Sequence, residues 1–384
     1  MSLELLIDAR CITCKPCGVR RVAEQYLQNL PKNIHTKIII NKSATFNLQH
    51  DNNIDIIRVP NFCTRFNFLL DMILISWIVI RFRPNIFLSL HSFLPIFSWL
   101  PKNRIFLFHD HFSAIRKDFF EARGRLAHSA RLFFWIVTFI STYRANKIIT
   151  PSHFIEERLS LFFPKSIRKI SVCYNPVQFV ATDRVIKNLD DNSVSILFVG
   201  NSKKYKGLDI LLEAWEKYSQ KSGHFINKTL HIVSNQSIEQ LTFQFAHIDL
   251  KSVVFHSRIT DQELNLLRAK AKAFVVPSRE EGFGLPVIEN LIWNKPMILS
   301  DIPVFREIIC SSERLGIIWF QADSVNCLVE KLASFDVEIP SNRSIHDIDG
   351  EACSSLLTKY RDDIASERFF SEVIGDFNDK FRKN

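Results

Sequence analysis

Short, nearly continuous apolar runs alternate along this chain with longer stretches in which apolar side chains return every third or fourth position. In the first half the runs Leu3–Asp8, Lys37–Ile40, Ile54–Val59, Ile86–Leu90, Ile105–His109, Lys147–Thr150 and Ile170–Tyr174 predict strands. Helical spacing falls between them, at Val19–Leu30, 66–81, 115–141 and His153–Phe162. Strands that are apolar on both faces must be covered on both, which predicts parallel sheets flanked by helices. The polar passage Gln178–Asn192 has little periodicity and reads as a linker. The pattern then restarts: strands Val194–Val199, Thr229–Val233, Val253–Phe255, Ala273–Val276 and Met297–Leu299 alternate with helices Leu208–Tyr218, Ile238–Phe245, Asp261–Ala269 and Leu285–Trp293. The expected class is α/β with two doubly wound domains. Their expected boundaries are 1–175, a linker at 176–192, 193–345, and terminal helices at 346–384 that pack back toward the first domain.

Length agrees with two domains, since 384 residues at 47% apolar content exceed what one core usually covers. Charge is uneven. Residues 1–175 hold 24 Lys and Arg against 11 Asp and Glu, and the remainder holds 25 against 29. A basic first half implies an anionic partner. No helix-turn-helix, zinc-finger spacing or aromatic RNA-binding signature accompanies the charge, so nucleic acid is not expected and an anionic membrane surface is favoured. The opening MSLELLIDAR carries Glu4 and Asp8 and reads as a strand rather than a signal peptide, which predicts a cytoplasmic protein. The apolar runs Met72–Ile80 and Leu132–Ile140 fall short of the ~20 residues that span a bilayer. Before and within the second run, basic and aromatic residues mix, and Arg116, Lys117, Arg123 and Arg125 are the candidates for contact with an acceptor or a membrane surface. A core helix with a solvated basic face accounts for the same mixture. Cys11, Cys14 and Cys17 begin a cluster-like spacing, but a fourth cysteine does not follow, so no metal site is expected.

In open α/β sheets ligands bind beyond the carboxyl ends of the strands. Four loops there carry suitable chemistry. After the first strand, Gly18 leads into a helix beside Arg20 and Arg21, a weak phosphate signal. His109 and Asp110 end another strand and are expected at the mouth of the interdomain cleft rather than in the core. The loop Gly200–Gly207 places Lys203, Lys204 and Lys206 over a helix N-terminus, a composition able to neutralise a diphosphate without a metal ion. In the fourth, Val275–Glu289, a strand ends at Pro277 and a helix begins near Gly284 or Leu285. Glu281 and Glu289 stand there with seven residues between them, and Gly282 and Gly284 let a phosphate approach the backbone. Acids that merely answer a helix dipole account for either Glu taken alone.

Val276-Pro-Ser-Arg-Glu-Glu-Gly-Phe-Gly-Leu-Pro-Val-Ile-Glu289, followed by Lys295-Pro296, Ser300-Asp301-Ile-Pro303 and Glu307, resembles the signature of family four of the GT-B glycosyltransferases. Ile7-Asp8-Ala9-Arg10 with Gly18-Val19-Arg20, His109-Asp110, Ile148 to Ser152, Val199-Gly200-Asn201 with Lys206-Gly207, and Asp261 to Leu264 match in the same order. The resemblance implies two Rossmann-like domains facing across a cleft, with an acceptor in the first and a nucleotide sugar in the second. It further implies ribose hydroxyls on Glu289, donor-sugar hydroxyls on Glu281, and the diphosphate on Lys206 and the N–H groups of Gly282, Phe283, Gly284 and Leu285, helped by the Gly18 loop. His109 would meet the transferred sugar near its anomeric centre.

The expected activity is retaining transfer of a hexose, mannose-like by preference, from a nucleotide diphosphate sugar to a saccharide acceptor. A lipid-linked acceptor at the inner face of the plasma membrane, in bacterial surface polysaccharide or lipopolysaccharide synthesis, is the expected setting. No cofactor or metal is expected. A nucleotide-sugar epimerase and a silent sugar-nucleotide binder are the alternatives. Two departures stand out. Asn201 occupies the place of an arginine common in the family, so Lys203 or Lys204 is expected to supply that charge. Asn294 replaces a glycine after the last helix and is expected to take the left-handed conformation, while Trp293 must pack where small residues are usual.

Overall fold

The computed structural model describes residues 3–13, 17–44, 53–60, 68–95, 103–109, 125–179, 196–222, 228–309, 315–338 and 350–381. They form two compact units, Met1–Gln178 with Arg361–Asn384, and Phe179–Tyr360. The first unit opens with β1 (Glu4–Asp8), α1 (Gly18–Gln28), β2 (His35–Asn41), β3 (Ile54–Val59) and α2 (Phe68–Phe82). It continues through β4 (Ile86–Ser89), β5 (Asn103–Leu107), α3 (Arg125–Arg144), β6 (Lys147–Thr150), α4 (His153–Phe162) and β7 (Ile170–Val172). The second unit contains β8 (Ile196–Val199), α5 (Leu208–Ser222), β9 (Leu230–Ser234), α6 (Ile238–Gln244), β10 (Val253–Ser257), α7 (Asp261–Lys270) and β11 (Ala273–Val276). After these come α8 (Leu285–Leu291), β12 (Met297–Ser300), α9 (Pro303–Ile308), β13 (Ile317–Phe320), α10 (Val325–Glu338) and α11 (Gly350–Thr358). The last helix, α12 (Asp362–Phe381), returns to the first unit.

Each unit holds one all-parallel sheet, ordered β3-β2-β1-β4-β5-β6-β7 in the first and β10-β9-β8-β11-β12-β13 in the second. The doubly wound architecture expected from the alternating pattern is therefore met twice. Order reverses between β1 and β4 in one sheet and between β8 and β11 in the other, and these reversals are where ligand crevices open. The central strands are buried on both faces, which is why their sequences are apolar without alternation. The second core gathers Phe198, Trp215, Ile232, Val275 and Ile298, and Trp215 satisfies its buried Nε1–H on Ser252 Oγ at 2.8 Å.

Helix starts follow local capping chemistry. Ser152 accepts from the Ile155 N–H at the head of α4, and Ser237 with Gln240 and Thr260 with Glu263 form reciprocal capping boxes on α6 and α7. Asn294 adopts φ +49°, the left-handed turn expected of it, and Trp293 is buried. The strand β13, unforeseen in the sequence, adds a sixth member at the sheet edge after Gly316 turns at φ +61°. Most of the expected linker, 180–192, lies outside the described residues, as do Arg116, Lys117 and Arg123. Arg125 opens α3, and its side chain is likewise outside the description.

The return of α12 completes the first core. Tyr26 of α1 is fully buried, stacks on Phe369 with ring centroids 3.9 Å apart, and meets the edge of Phe370 at 6.2 Å. On the same helix Glu372 takes two bonds from Lys147 Nζ, at its carbonyl and its carboxylate, both at 2.9 Å. In the second sheet His231 and His256 lie on adjacent strands, Nδ1 to Nε2 at 2.8 Å, with rings stacked at 5.1 Å. Burial, then the neighbouring His256, pushes His231 down to about 4, and burial also lowers His256 against the opposing pull of Glu263.

Phe369→Ala is expected to cost about 3 to 5 kcal/mol of unfolding free energy, read from urea titration, because it removes a fully buried ring. The histidine pair sets a second expectation. Both imidazoles bind protons less readily in the fold than in the open chain, so full stability holds above the ordinary value of 6.5 and is lost as pH falls toward 4. Replacing both with Gln should flatten the urea midpoint over that window relative to the parent, and an identical pH profile would count against the pairing.

Candidate functional site

The second sheet's order reversal brings together two loops, the one leaving β8 and the one leaving β11. In the first, the Gly200 N–H donates to Val233 O at 3.0 Å, and Asn201 Oδ1 accepts from the Lys203 N–H at 3.1 Å, closing a tight polar turn. Ser202 is tied to Gln236 Oε1 through its N–H at 2.8 Å and to Gln244 Oε1 through its hydroxyl at 2.7 Å. One short helical turn, Lys204–Lys206, then ends at Gly207 with φ +68°. Gly207 is required here, because a Cβ would lie 1.9 Å from the carbonyl oxygen of Pro277. The two loops are packed backbone to backbone.

That contact places Lys206 against Glu281, 75 positions later in the chain. Lys206 Nζ donates to both carboxylate oxygens, Oε1 at 2.7 Å and Oε2 at 2.9 Å, and the Ser278 hydroxyl donates to Oε1 at 2.7 Å. Both groups are largely shielded, with side-chain exposure of 16% and 7%. The Tyr205 ring lies 5.4 Å from the same ammonium. Lys203 and Lys204 are exposed, and Lys203 Nζ sits 6.0 Å from that ring.

Arg279 clamps the arrangement. Its N–H donates to Tyr205 O at 2.8 Å, and its guanidinium forks onto Asp209 at 2.7 and 2.8 Å while reaching Asp323 at 2.6 Å and the Lys204 carbonyl. Gly284, at φ +91°, turns the chain into α8, where a Cβ would press on the Phe305 ring at 2.8 Å. Gly282, Phe283, Gly284 and Leu285 thus lie at the mouth of α8, with Phe283 buried edge-on against Tyr360 at 5.7 Å. Glu289 stands further up α8 and is paired with Arg268 of α7. Arg268 is buried, and its helix ends on Lys295, whose ammonium donates to the carbonyls of Arg268, Ala269 and Ala271. Burial pushes Lys295 down to about 8.

In the first unit His109 follows β5 and is buried. Its backbone N–H donates to Ser92 Oγ at 3.4 Å, and ring Nε2 lies 3.1 Å from Leu90 O. A carbonyl only accepts, so Nε2 carries the proton. Gly18 is exposed as the first residue of α1, and the Arg20 charge is engaged with Glu24 at 2.7 Å. The quoted motif Ile7-Asp8-Ala9-Arg10 forms a buried cluster at that sheet's own reversal together with His91, which the sequence did not single out. Asp8 is held bidentately by Arg10 at 2.7 and 2.6 Å, with His91 Nε2 at 3.7 Å. Burial acts to raise the Asp8 carboxyl, but Arg10 and then His91 outweigh it and hold it below its ordinary value.

Ser278, Arg279 and Lys295 stand in the quoted motif but were given no role there, and Arg268 was not singled out. Ser278 was findable, standing three positions before Glu281 in the same loop. Arg268 and Glu289 lie on different helices, and only the fold reveals their pairing.

This geometry is that of a GT-B protein, two Rossmann-like domains in one chain, as in solved structures of that fold. Sucrose-phosphate synthase from Thermosynechococcus elongatus superposes with a TM-score of 0.72 at 15% identity, covering 100% of both chains. Anabaena Alr3699/HepE in complex with UDP-glucose superposes with a TM-score of 0.70 at 12% identity, covering 98% of this chain and 100% of the other. Residues 180–336, which include both loops of the second unit, match the family model described as Glycosyl transferases group 1. The O-antigen chain mannosyltransferase RfbU of Salmonella typhimurium is 30% identical over 182 residues, 47% of this chain and 49% of that protein. The chain spans about half the length of the curated relatives it matches first.

Lys206→Met leaves the shielded carboxylate without its countercharge and is expected to cost about 3 to 5 kcal/mol of stability in urea unfolding. Lys206→Met with Glu281→Gln should recover most of that loss. A neutral single substitution would show that the pair is not shielded from water.

Proposed function

We propose that this protein transfers a hexose from a nucleoside diphosphate sugar to a saccharide acceptor with retention of anomeric configuration. The observation that carries the reading is the Lys206–Glu281–Ser278 arrangement at the strand-order reversal, inside the segment matching the glycosyltransferase family model. Parallel strands that part at that point leave a crevice lined by backbone and helix starts, where phosphates are held. In this reading Lys206 carries the diphosphate, with Lys203, Lys204, the turn at Asn201 and the N–H groups from Gly282 to Leu285. Glu281 takes hydroxyls of the donor sugar. Glu289, paired with Arg268, takes the ribose hydroxyls. His109 and the Gly18 loop are assigned to the transferred sugar and the diphosphate by resemblance alone.

The step we propose breaks the bond between the anomeric carbon and the phosphate oxygen while the acceptor oxygen bonds that carbon on the same face. The acceptor proton passes to the leaving diphosphate, and Lys206 stabilises the charge that develops there. The reading calls for no metal ion or cofactor. RfbU is named a mannosyltransferase, which supports a mannose-like hexose, and its O-antigen role supports an acceptor of surface polysaccharide synthesis. We take that acceptor to be lipid-linked, with the protein working in the cytoplasm at the inner face of the plasma membrane.

Incubation with a panel of nucleoside diphosphate sugars and an oligosaccharide acceptor tests the reading. Transfer is expected only with acceptor present, and Glu281→Ala should lower it by a factor on the order of 100 or more. An unchanged rate in that variant removes the assignment. Conversion of the donor without acceptor would instead identify a nucleotide-sugar epimerase.

A further inference from the structure

On the first unit the exposed apolar side chains are concentrated rather than scattered. Helices α2, α3 and α4 connect β3 to β4, β5 to β6 and β6 to β7, all advancing the same way across the sheet, so right-handed crossovers put them on one side. Their inner faces share a core in which Ile75 and Val79 of α2 accompany Ile155 and Leu159 of α4. Their outer faces are apolar too. Helix α3 exposes Leu132, Ile136, Phe139 and Tyr143, three or four positions apart and so on one stripe. Trp77 of α2 is 60% exposed, and at the end of α4 Leu161 is 72% exposed with Phe162 beside it. Single exposed leucines are ordinary, but apolar faces on three helices at one side of the sheet mark an interaction surface.

Charge and aromatic chemistry indicate what meets it. Lys165 and Arg168 are exposed in the turn after α4, and Arg144 and Lys169 stand at the carboxyl end of α3. Lys169 Nζ donates to Thr142 O at 3.3 Å and Tyr143 O at 2.8 Å, and Arg104 Nε donates to Arg144 O at 2.8 Å. Burial, then the positive charge of Arg144, lowers Arg104, and burial, then Arg104, lowers Lys169, so cations crowd one another here. An anion would relieve that crowding. Trp77 and Tyr143 pair an apolar ring with a polar tip, the side-chain type that settles at a lipid–water boundary. A second copy of the chain meeting this face about a two-fold axis would set like charges against like.

We propose that the face formed by α2, α3, α4 and the turn 164–169 lies on an anionic bilayer surface, with Leu132, Phe139, Leu161 and Phe162 at the acyl boundary and Lys165 and Arg168 among the lipid phosphates. The contact requires neither nucleotide sugar nor acceptor, so it stands apart from the transfer reading. It extends the membrane contact expected from the basic segment before α3 to a defined surface of three helices.

Sedimentation of the full chain with vesicles of phosphatidylcholine, with and without phosphatidylglycerol, tests the proposal. The parent protein is expected to co-sediment with phosphatidylglycerol-containing vesicles and to be released by salt. Leu161→Gln with Phe162→Gln, and separately Lys165→Glu with Arg168→Glu, should each weaken partitioning about 10-fold or more. The circular dichroism and melting of these variants should match the parent, because all four side chains are exposed. Absence of vesicle binding by the parent, or binding unchanged in both variants, overturns the proposal. So does a parent dimer that either pair dissolves, which would assign the face to a second copy. Transfer to a soluble oligosaccharide reads the proposed activity separately, so loss of one property is distinguishable from loss of the other.

Discussion

The contact between Lys206 and Glu281 is the constraint around which the second unit is organised. Two charges taken largely out of water are costly to bury, and their attraction only about repays that cost. Such a pair adds little net stability, so its geometry has to be secured by other means. The sheet puts β8 beside β11, Gly207 permits its loop to touch Pro277, Ser278 adds a hydroxyl to the carboxylate, and Arg279 bridges three parts of the chain. The two charged groups therefore have a fixed relation in the fold itself, and a polar ligand that reached them would find the groups already aligned.

A second charged tether repeats this principle one helix away. Lys295 terminates α7 by binding its last carbonyls, α7 carries Arg268, and Arg268 meets Glu289 on α8. Helix-end carbonyls left over from the regular bonding pattern are thus satisfied by a buried ammonium, at the expense of its basicity. The pair of acids that the sequence displays as one motif is held by two independent supports. Glu281 answers to a loop lysine and Glu289 to a helical arginine.

Much of this was legible in the sequence because parallel strands buried on both faces leave uninterrupted apolar runs. Lys147–Thr150 and Ala273–Val276 stand in the fold where the pattern puts them. Asn294 was legible through backbone sterics, since few residues other than glycine tolerate a positive φ. Edge strand β13 was not, being four residues, three of them only half-buried, that pair on one side alone, with β12. The burial of His109 was not legible, because a polar residue at a strand end carries no mark of what covers it, and in the fold its ring meets the Leu90 carbonyl. The ion pairs of Lys206 and Arg268 join elements 75 and 21 positions apart, and local spacing carries no information about such pairings.

The helix α12 decides how the two units are connected. Since it belongs to the first unit, the second unit is an insert within the first rather than a neighbour following it. Val177 and Arg361, the residues just outside that insert, are bridged in parallel, so its entry and exit are stitched side by side. An insert whose two ends meet in this way leaves the host unit closed on itself, with both of its own edges in place. The stacking of Tyr26 on Phe369 therefore joins the two ends of the chain across everything that lies between them.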